Sequence, residues 1–214
     1  MSKSLARGRV LPIVLLTLFL ISAHAWAQQP ALSFSGGGVW NWPAATIGWE
    51  FSIPSPVTVT ALGVWDENGD GLSDTHQVGI WTSPGGTLVV STTVTSADSL
   101  TDGFRYASIT PTVLAAGSYV VGSYMPTSDD RGAADASFST VTPVTYVQNL
   151  YLYDAGFTMP TTVWVGYDGG NFGANFIIGQ QVPTTPEWGI VVLAVLLAGL
   201  GFWYLRKRRL KTSW

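Results

Sequence analysis

The chain has 214 residues, a formal net charge of −3 and no cysteine. This composition excludes disulfide bonds, catalytic thiols and cysteine-ligated zinc. The length allows one domain with appendages or two small domains.

The N-terminus has the order of a secretory signal peptide. Three basic residues among the first nine precede an apolar run, 10–21, and small residues follow in two A-x-A patterns. As a helix this run would reach only about 18 Å across a hydrocarbon core roughly 30 Å thick, which favours cleavage over a permanent span. We predict a signal peptide over residues 1–27, engaged by the secretion machinery and cut after Ala27 by signal peptidase.

The middle of the chain is strongly acidic. Between residues 28 and 205, two arginines and no lysine accompany all thirteen acidic residues, a formal charge of −11. Nucleic acid is therefore not expected as a partner, because phosphate contacts need clustered Lys and Arg. The carboxylates are compatible with cation binding, and they also keep an exported domain soluble.

Residues 28–181 are predicted to form one all-β domain, an antiparallel β-sandwich of jelly-roll type. Short runs of Val, Thr, Ser and aromatic residues alternate with Gly, Pro, Asn and Asp turns, and no helical period of similar length interrupts them. The predicted strands are Thr46–Ile53, Val57–Trp65, Gln77–Thr82, Thr87–Val94, Phe104–Ile109, Ser118–Met125, Tyr146–Tyr153, Thr162–Tyr167 and Ala174–Gly179.

Two stretches of this domain carry more specific expectations. In the second predicted strand the alternation of Val57, Val59 and Ala61 shifts parity at Leu62, which predicts either a β-bulge or burial on both faces. Residues 126–143 are rich in Ser, Thr, Ala and Asp and are predicted to form a long loop.

The residues favour a protein that is not an enzyme. His76 is the only histidine after the signal peptide, and no G-x-S-x-G sequence accompanies it, so a hydrogen-bonded histidine at a strand edge is its expected role. A pair of acidic residues of the glycosidase kind is the remaining catalytic alternative, although no spacing pairs them.

The loop DENGDGLSDTHQ, residues 66–77, resembles a calcium-binding loop in its first half. Gln77 replaces the bidentate Glu of the twelfth position, which leaves the shell incomplete. The alternative is a hairpin turn rich in Asp and Asn. Calcium is thus the one cofactor that the sequence suggests. Its predicted ligands are Asp66, Asn68, Asp70, the Leu72 carbonyl and Asp74.

Tryptophan is the second candidate ligand-binding group. Six tryptophans lie between residues 28 and 181, and four of them fall in predicted strands, where burial is expected. Trp40 and Trp42 lie instead in the glycine-rich segment GGGVWNWP and are expected to be exposed. Flat aromatic faces of this kind can stack on sugar rings, so polysaccharide is a candidate ligand.

The C-terminus combines an apolar run with a basic cluster. Residues 189–205 carry no charge and are bounded by aromatic residues. At about 1.5 Å per residue they span about 25 Å, enough for a short transmembrane helix. Because positive flanks stay in the cytoplasm, residues before Trp188 are expected outside the inner membrane. The basic cluster is Arg206, Lys207, Arg208 and Arg209.

The tail VPTTPEWGIVVLAVLLAGLGFWYLRKRR resembles the IPTL-CTERM sorting signal, a relative of PEP-CTERM tails, whose opening motif reads IPTLSEWG. The resemblance implies processing by an exosortase, a membrane enzyme of Gram-negative envelopes often associated with exopolysaccharide production. This protein would then be the substrate, and exopolysaccharide a candidate partner. The predicted sorting motif comprises Pro183, Thr184, Pro186, Glu187, Trp188 and Gly189.

The middle domain also resembles uncharacterised domains attached to PEP-CTERM tails, through GWEFSIPSPVTVTALGVWDENGDGLSDTHQVGIW, DGFRYASI, LAAGSYVVGSY and NFGANF. The resemblance implies a β-sandwich and no particular activity. The expected function is an exported protein, anchored first in the inner membrane and then displayed on the surface or in the extracellular matrix. The alternatives are a calcium- or polysaccharide-binding module and, third, a hydrolase. The predicted order is signal peptide 1–27, β-sandwich 28–181 and sorting signal 182–214, the last divided into motif 182–189, transmembrane helix 189–205 and basic tail 206–214.

Overall fold

The fold is given by a computed structural model, which describes residues 27–41, 43–165, 169–180, 189, 192–193 and 195–200. The chain divides into two compact units, one from Trp26 to Val182 and the other composed of Met1–Ala25 and Pro183–Trp214. In the second unit the described residues are helical. The described part of the chain contains no helix with the length and apolar character needed to cross a membrane. The signal peptide, most of the sorting motif and the basic cluster lie outside the described residues, and these predictions stay predictions.

The first unit is built from strands. A single 3₁₀ turn, Glu67–Gly69, interrupts them within its described residues. The strands are β1 Ala27–Pro30, β2 Leu32–Ser35, β3 Gly38–Trp40, β4 Ala45–Ile53, β5 Val57–Trp65, β6 His76–Ser83, β7 Leu88–Val94, β8 Ser99–Thr101, β9 Phe104–Leu114, β10 Gly117–Met125, β11 Gly132–Thr140, β12 Thr145–Tyr153, β13 Thr162–Val163, β14 Gly170–Phe172 and β15 Ala174–Gln180.

The strands form two large antiparallel sheets and one small sheet. The first has the order β1-β15-β5-β9-β8, the second β13-β12-β4-β10-β6-β7, and the small one β14-β11-β2, with β3 also paired to β11. Strands adjacent in sequence pair as hairpins at β6–β7, β8–β9 and β12–β13. The predicted all-β antiparallel architecture is confirmed.

The two large sheets pack through an aromatic core. Trp49 and Phe51 alternate along β4 with outward-facing residues, and their rings lie 5.8 and 4.7 Å from the ring of Phe176 on β15. The Trp49 Nε1–H donates to the Ala174 carbonyl at 2.9 Å, so the buried indole keeps a hydrogen bond across the interface. Full burial of each such ring stabilises the fold by about 1.5–3 kcal/mol. This packing supports the predicted sandwich.

Strand β5 has both features that its sequence predicted as alternatives, a β-bulge and burial on both faces. Its pairing with β9 shifts register between Val59 and Ala61, which marks a bulge. The strand is also buried along nearly its whole length. Leu62 faces the main core, whereas Ala61 packs with Phe104 in a second cluster on the opposite face.

The predicted loop 126–143 is wrong over half its length, because β11 occupies residues 132–140. Alanine and serine have weak strand propensity, so propensity alone does not predict this strand. The buried Ala133 and Ala136 fit a position where β11 pairs with strands on both sides. Asp135 between them adopts φ 54° at a shift in register, which is why the alternation is broken there.

A strap formed by residues 154–161 crosses the outer face of the second sheet. The Thr46 hydroxyl donates to the Gly156 carbonyl at 2.8 Å, and Phe157 packs on Trp81 with ring centroids 5.1 Å apart. Beneath the strap, Gly79 and Gly122 face each other on β6 and β10. The glycines leave the sheet surface low enough for the strap to lie close to it.

Candidate functional site

The loop between β5 and β6 is shaped by residues that tolerate a left-handed backbone. Asn68, Gly69 and Gly71 adopt φ values of 68°, 70° and 120°. Asn and Gly accept this region at little cost, whereas most side chains do not. The NGDG segment therefore folds into a tight turn that draws its polar groups together.

Asp66, the first predicted calcium ligand, is buried and already paired. Its two carboxylate oxygens accept the Gly71 N–H at 3.2 and 3.1 Å, and Oδ2 also accepts the Arg105 Nε–H at 2.6 Å. Arg105 donates further to the carbonyls of Ser96 and Asp98, at 2.7 and 3.0 Å. The Asp66 carboxylate thus joins its own loop to β9 and to the turn before β8.

A second buried centre lies at Asp130. Its carboxylate accepts the N–H groups of Ser73 and Asp74, both at 2.9 Å, and contacts His76 Nε2 at 2.8 Å. Burial alone would raise the pKa of Asp130, but the two backbone hydrogen bonds and His76 outweigh it and hold that pKa below its ordinary value. The carboxylate is therefore the form that this pocket stabilises.

His76 connects this centre to the sandwich. It opens β6, it is buried, and its Nδ1 lies 3.0 Å from the Tyr124 carbonyl. Because a carbonyl oxygen only accepts hydrogen bonds, Nδ1 is the donor there. The predicted role of a hydrogen-bonded histidine at a strand edge is confirmed, with Asp130 as a partner that its sequence position did not reveal.

The predicted calcium ligands divide into two groups. Asp66, Asn68 and Asp70 line a small cleft of about 160 Å³, whereas Leu72 and Asp74 are not among its lining residues. Leu72 packs in the core, and the Asp74 carboxylate accepts the Thr127 hydroxyl at 2.5 Å. Among the described residues, no group of three or more His, Cys, Asp or Glu side chains is placed to hold a metal ion.

Positive charge in the domain is concentrated at this cleft. Arg105 binds Asp66, and Arg131 binds Glu67 with Nε 2.7 Å from Oε2. These are the only two arginines between residues 28 and 205. The contacts therefore favour an internally bonded Asp- and Asn-rich turn, the alternative interpretation of the sequence.

A second feature is a run of four aromatic side chains at the edge of the second sheet, which we call the aromatic run: Trp40, Trp164, Tyr151 and Tyr153. Trp40 meets Trp164 at 6.5 Å, Trp164 meets Tyr151 at 4.7 Å, and Tyr151 meets Tyr153 at 4.9 Å between ring centroids. The first two contacts are T-shaped, the geometry that aromatic quadrupoles prefer.

The ends of the aromatic run face solvent. Trp40 is 44% exposed and Tyr153 is 38% exposed, while Trp164 and Tyr151 are half-buried between them. The expected exposure of Trp40 is confirmed, and Trp42 lies outside the described residues. Both tyrosines were missed, although their i, i+2 spacing in NLYLYD places them on one face of a strand.

Fold and contacts together define an acidic, antiparallel all-β domain with an internally bonded turn and a partly exposed aromatic edge. The chain belongs to the family of domains of unknown function DUF4082, whose model matches residues 37–172. An IPTL-CTERM motif matches residues 180–209. No curated protein and no solved structure gives a significant match.

Both resemblances expected from the sequence are confirmed: the chain is an IPTL-CTERM protein that carries an uncharacterised domain. The matched tail includes the whole predicted sorting motif and the basic cluster. Of these residues, the structure describes Gly189, which is helical and exposed.

Proposed function

We propose that this protein is a non-enzymatic component of a Gram-negative envelope or extracellular matrix, exported and then sorted by an exosortase-type enzyme. The observation that carries the proposal is the IPTL-CTERM match at residues 180–209. On this proposal the tail holds the protein in the inner membrane until the sorting enzyme acts on the motif.

The sequence boundary between the β unit and the matched tail supports such processing. The last strand, β15, ends at Gln180 and pairs with β1 and β5 along its length. The compact β unit ends at Val182, where the matched motif has just begun. Cleavage beyond this point would remove no described strand from the sandwich.

The polar contacts fit a structural role for these side chains. His76 and the two arginines each contact a carboxylate of the domain, and the Asp66 and Asp130 carboxylates are held by backbone N–H groups. A general acid or base must instead reach a substrate atom with its own polar atoms.

The test combines topology with processing. One epitope tag is inserted after Gln181 and another after Trp214, and protease is added to intact spheroplasts. We expect the first tag to be digested and the second protected, and mass spectrometry of the mature protein should find a C-terminus within or after the sorting motif.

A Glu187→Ala, Trp188→Ala double variant should retain the unprocessed tail, whereas a Lys211→Ala variant should mature normally. A cytoplasmic location of the first tag would overturn the proposal of export. An intact tail on the surface-exposed protein would overturn sorting by cleavage.

A further inference from the structure

We propose that the aromatic run is a binding platform for an uncharged polysaccharide. The inference goes beyond sorting, because it concerns what the β domain contacts once it is outside the cell. It rests on the exposure, geometry and surroundings of four rings, and it can be tested in vitro whatever the fate of the tail.

The rings form a connected surface rather than scattered exposed side chains. A contiguous apolar patch of this kind on a soluble domain marks a contact surface. The surface is narrow and lies at the short β13 edge, which suits a chain-like ligand better than a broad protein interface.

The chemistry of the rings fits a sugar. An aromatic face carries partial negative charge, and the C–H groups on one side of a pyranose ring present partial positive charge to it. Sugar hydroxyls then need polar partners at the rim of the surface. Asn41, Asp154 and Thr162 are exposed and directly adjoin the aromatic run or its strands.

The charge of the domain selects an uncharged ligand. Residues 28–205 carry a formal charge of −11, so a uronic acid polymer or an anionic membrane surface is repelled. Arg105 and Arg131, the cations that could offset an anionic ligand, are already bound to Asp66 and Glu67. A neutral hexose polymer meets no such repulsion.

The platform is also held in place before any ligand arrives. Tyr151 lies on β12 between β4 and β13, with Ile47 and Thr162 as its direct neighbours. The Trp164 N–H donates to the Asn149 carbonyl at 3.1 Å, and Trp40 pairs with Gly132 of β11. Because these backbones are fixed by pairing, little ordering opposes binding.

The experiment uses the full chain, solubilised in lauryl dimethylamine oxide, since detergents with sugar headgroups would compete for the site. Affinity electrophoresis is run in gels containing hydroxyethylcellulose, laminarin or dextran, with alginate as the anionic polymer. Titration of tryptophan fluorescence gives a dissociation constant for each polymer that retards the protein.

We expect retardation by at least one neutral polymer and none by alginate. Trp40→Ala and Tyr153→Ser should each weaken binding about tenfold, and the double variant about a hundredfold, since each tenfold loss corresponds to about 1.4 kcal/mol. Val113→Ala is the control, because it truncates an apolar side chain that is even more exposed, on β9 of the other sheet. Circular dichroism confirms that each variant keeps its β-sheet signal.

Three results would overturn the proposal: retardation by none of the neutral polymers, retardation that the double variant retains, or equal retardation by alginate. Sedimentation equilibrium adds a fourth. A dimer that the double variant abolishes, without any polymer binding, would assign the aromatic run to self-association instead. Failure of sorting in cells leaves these measurements unaffected, so the two proposals can fail separately.

Discussion

Arg105 Nε lies 2.6 Å from Asp66 Oδ2, and the two side chains are only 14% and 1% exposed. Arg131 and Glu67 form a comparable pair at 2.7 Å in the same cleft, but their side chains are 42% and 21% exposed. Both pairs join an arginine to a carboxylate, but they differ in burial. They therefore allow a matched test of how much burial adds to the contribution of an ion pair to the stability of the fold.

Arg105→Met should destabilise the β domain by about 3 kcal/mol, because it leaves the Asp66 carboxylate buried and without its cation. Arg131→Met should cost under about 1 kcal/mol, since Arg131 is exposed, Glu67 is only half-buried and solvent screens the pair. Urea unfolding followed by circular dichroism measures both. Equal losses in the two variants would show that burial does not distinguish the pairs, and Asp66→Asn in the Arg105→Met background should recover part of the loss.

The pairing of these residues was not predictable from their positions. The loop 66–77 was correctly singled out for its alternating polar residues, and NGDG correctly suggested a turn. Their partners Arg105 and Asp130, however, lie far away in sequence. Only the folded sheet order brings Arg105 to Asp66 and Asp130 to His76. The sequence therefore revealed which residues are polar and constrained, but not which groups satisfy them.

The strands also divide into those that the local sequence predicts and one that depends on distant partners. All nine predicted strands overlap observed ones, because β-branched and aromatic alternation is a local signal. Strand β11 lacks that signal and exists through its partners β2, β3 and β14. Of the aromatic run, only Trp40 was singled out, because it stands in a glycine-rich segment, whereas Tyr151, Tyr153 and Trp164 lie in predicted strands.

Acidification should weaken the fold through Asp130. Its pKa lies below the ordinary value of 3.8 in the folded domain, so the unfolded chain takes up the proton first. The stabilisation is therefore fully present above about pH 4 and is lost as the pH falls through the folded pKa. Asp130→Asn should lower the melting temperature at pH 6 and reduce its further fall between pH 4 and pH 2.5.

Asp129→Asn is the control for that pH series, because Asp129 is the exposed neighbour of the buried carboxylate. It should leave both the melting temperature at pH 6 and its acid dependence close to those of the unmodified chain. If Asp130→Asn retained the full acid dependence, the titration would belong to other groups.

Calcium should leave the melting temperature unchanged. The Asp66 carboxylate already has the Gly71 N–H and Arg105 as partners, so an ion would have to displace a buried charge-assisted hydrogen bond. Differential scanning calorimetry compares the melting temperature in about 5 mM calcium chloride, a concentration in the extracellular millimolar range, with that in about 5 mM EDTA. A stabilisation by calcium that Asp70→Ala abolishes would contradict this expectation and restore the calcium-loop interpretation.

The strap over the second sheet gives the last prediction, in which two effects of one substitution oppose each other. Valine favours a strand over glycine, so Gly→Val should stabilise a strand position that has open space. Gly38 on β3 is such a position, with nothing within 4 Å of an added Cβ. At Gly79 the same Cβ would lie 2.8 Å from Phe157 Cζ and 2.9 Å from both Leu88 Cδ1 and Trp81 Cη2, so Phe157 of the strap and its neighbours must shift.

Crowding of this size destabilises a fold by about 1–3 kcal/mol, which exceeds the stabilisation expected from the higher strand propensity of valine. Gly79→Val should therefore destabilise the domain while Gly38→Val does not, as measured by urea unfolding. Limited proteolysis adds a local readout, because a displaced strap exposes the peptide bonds around Thr158. Phe157→Ala in the Gly79→Val background should recover stability by making room for the added methyl groups. Two equal effects at Gly38 and Gly79 would mean that strand propensity, and not contact with the strap, explains the glycine at position 79.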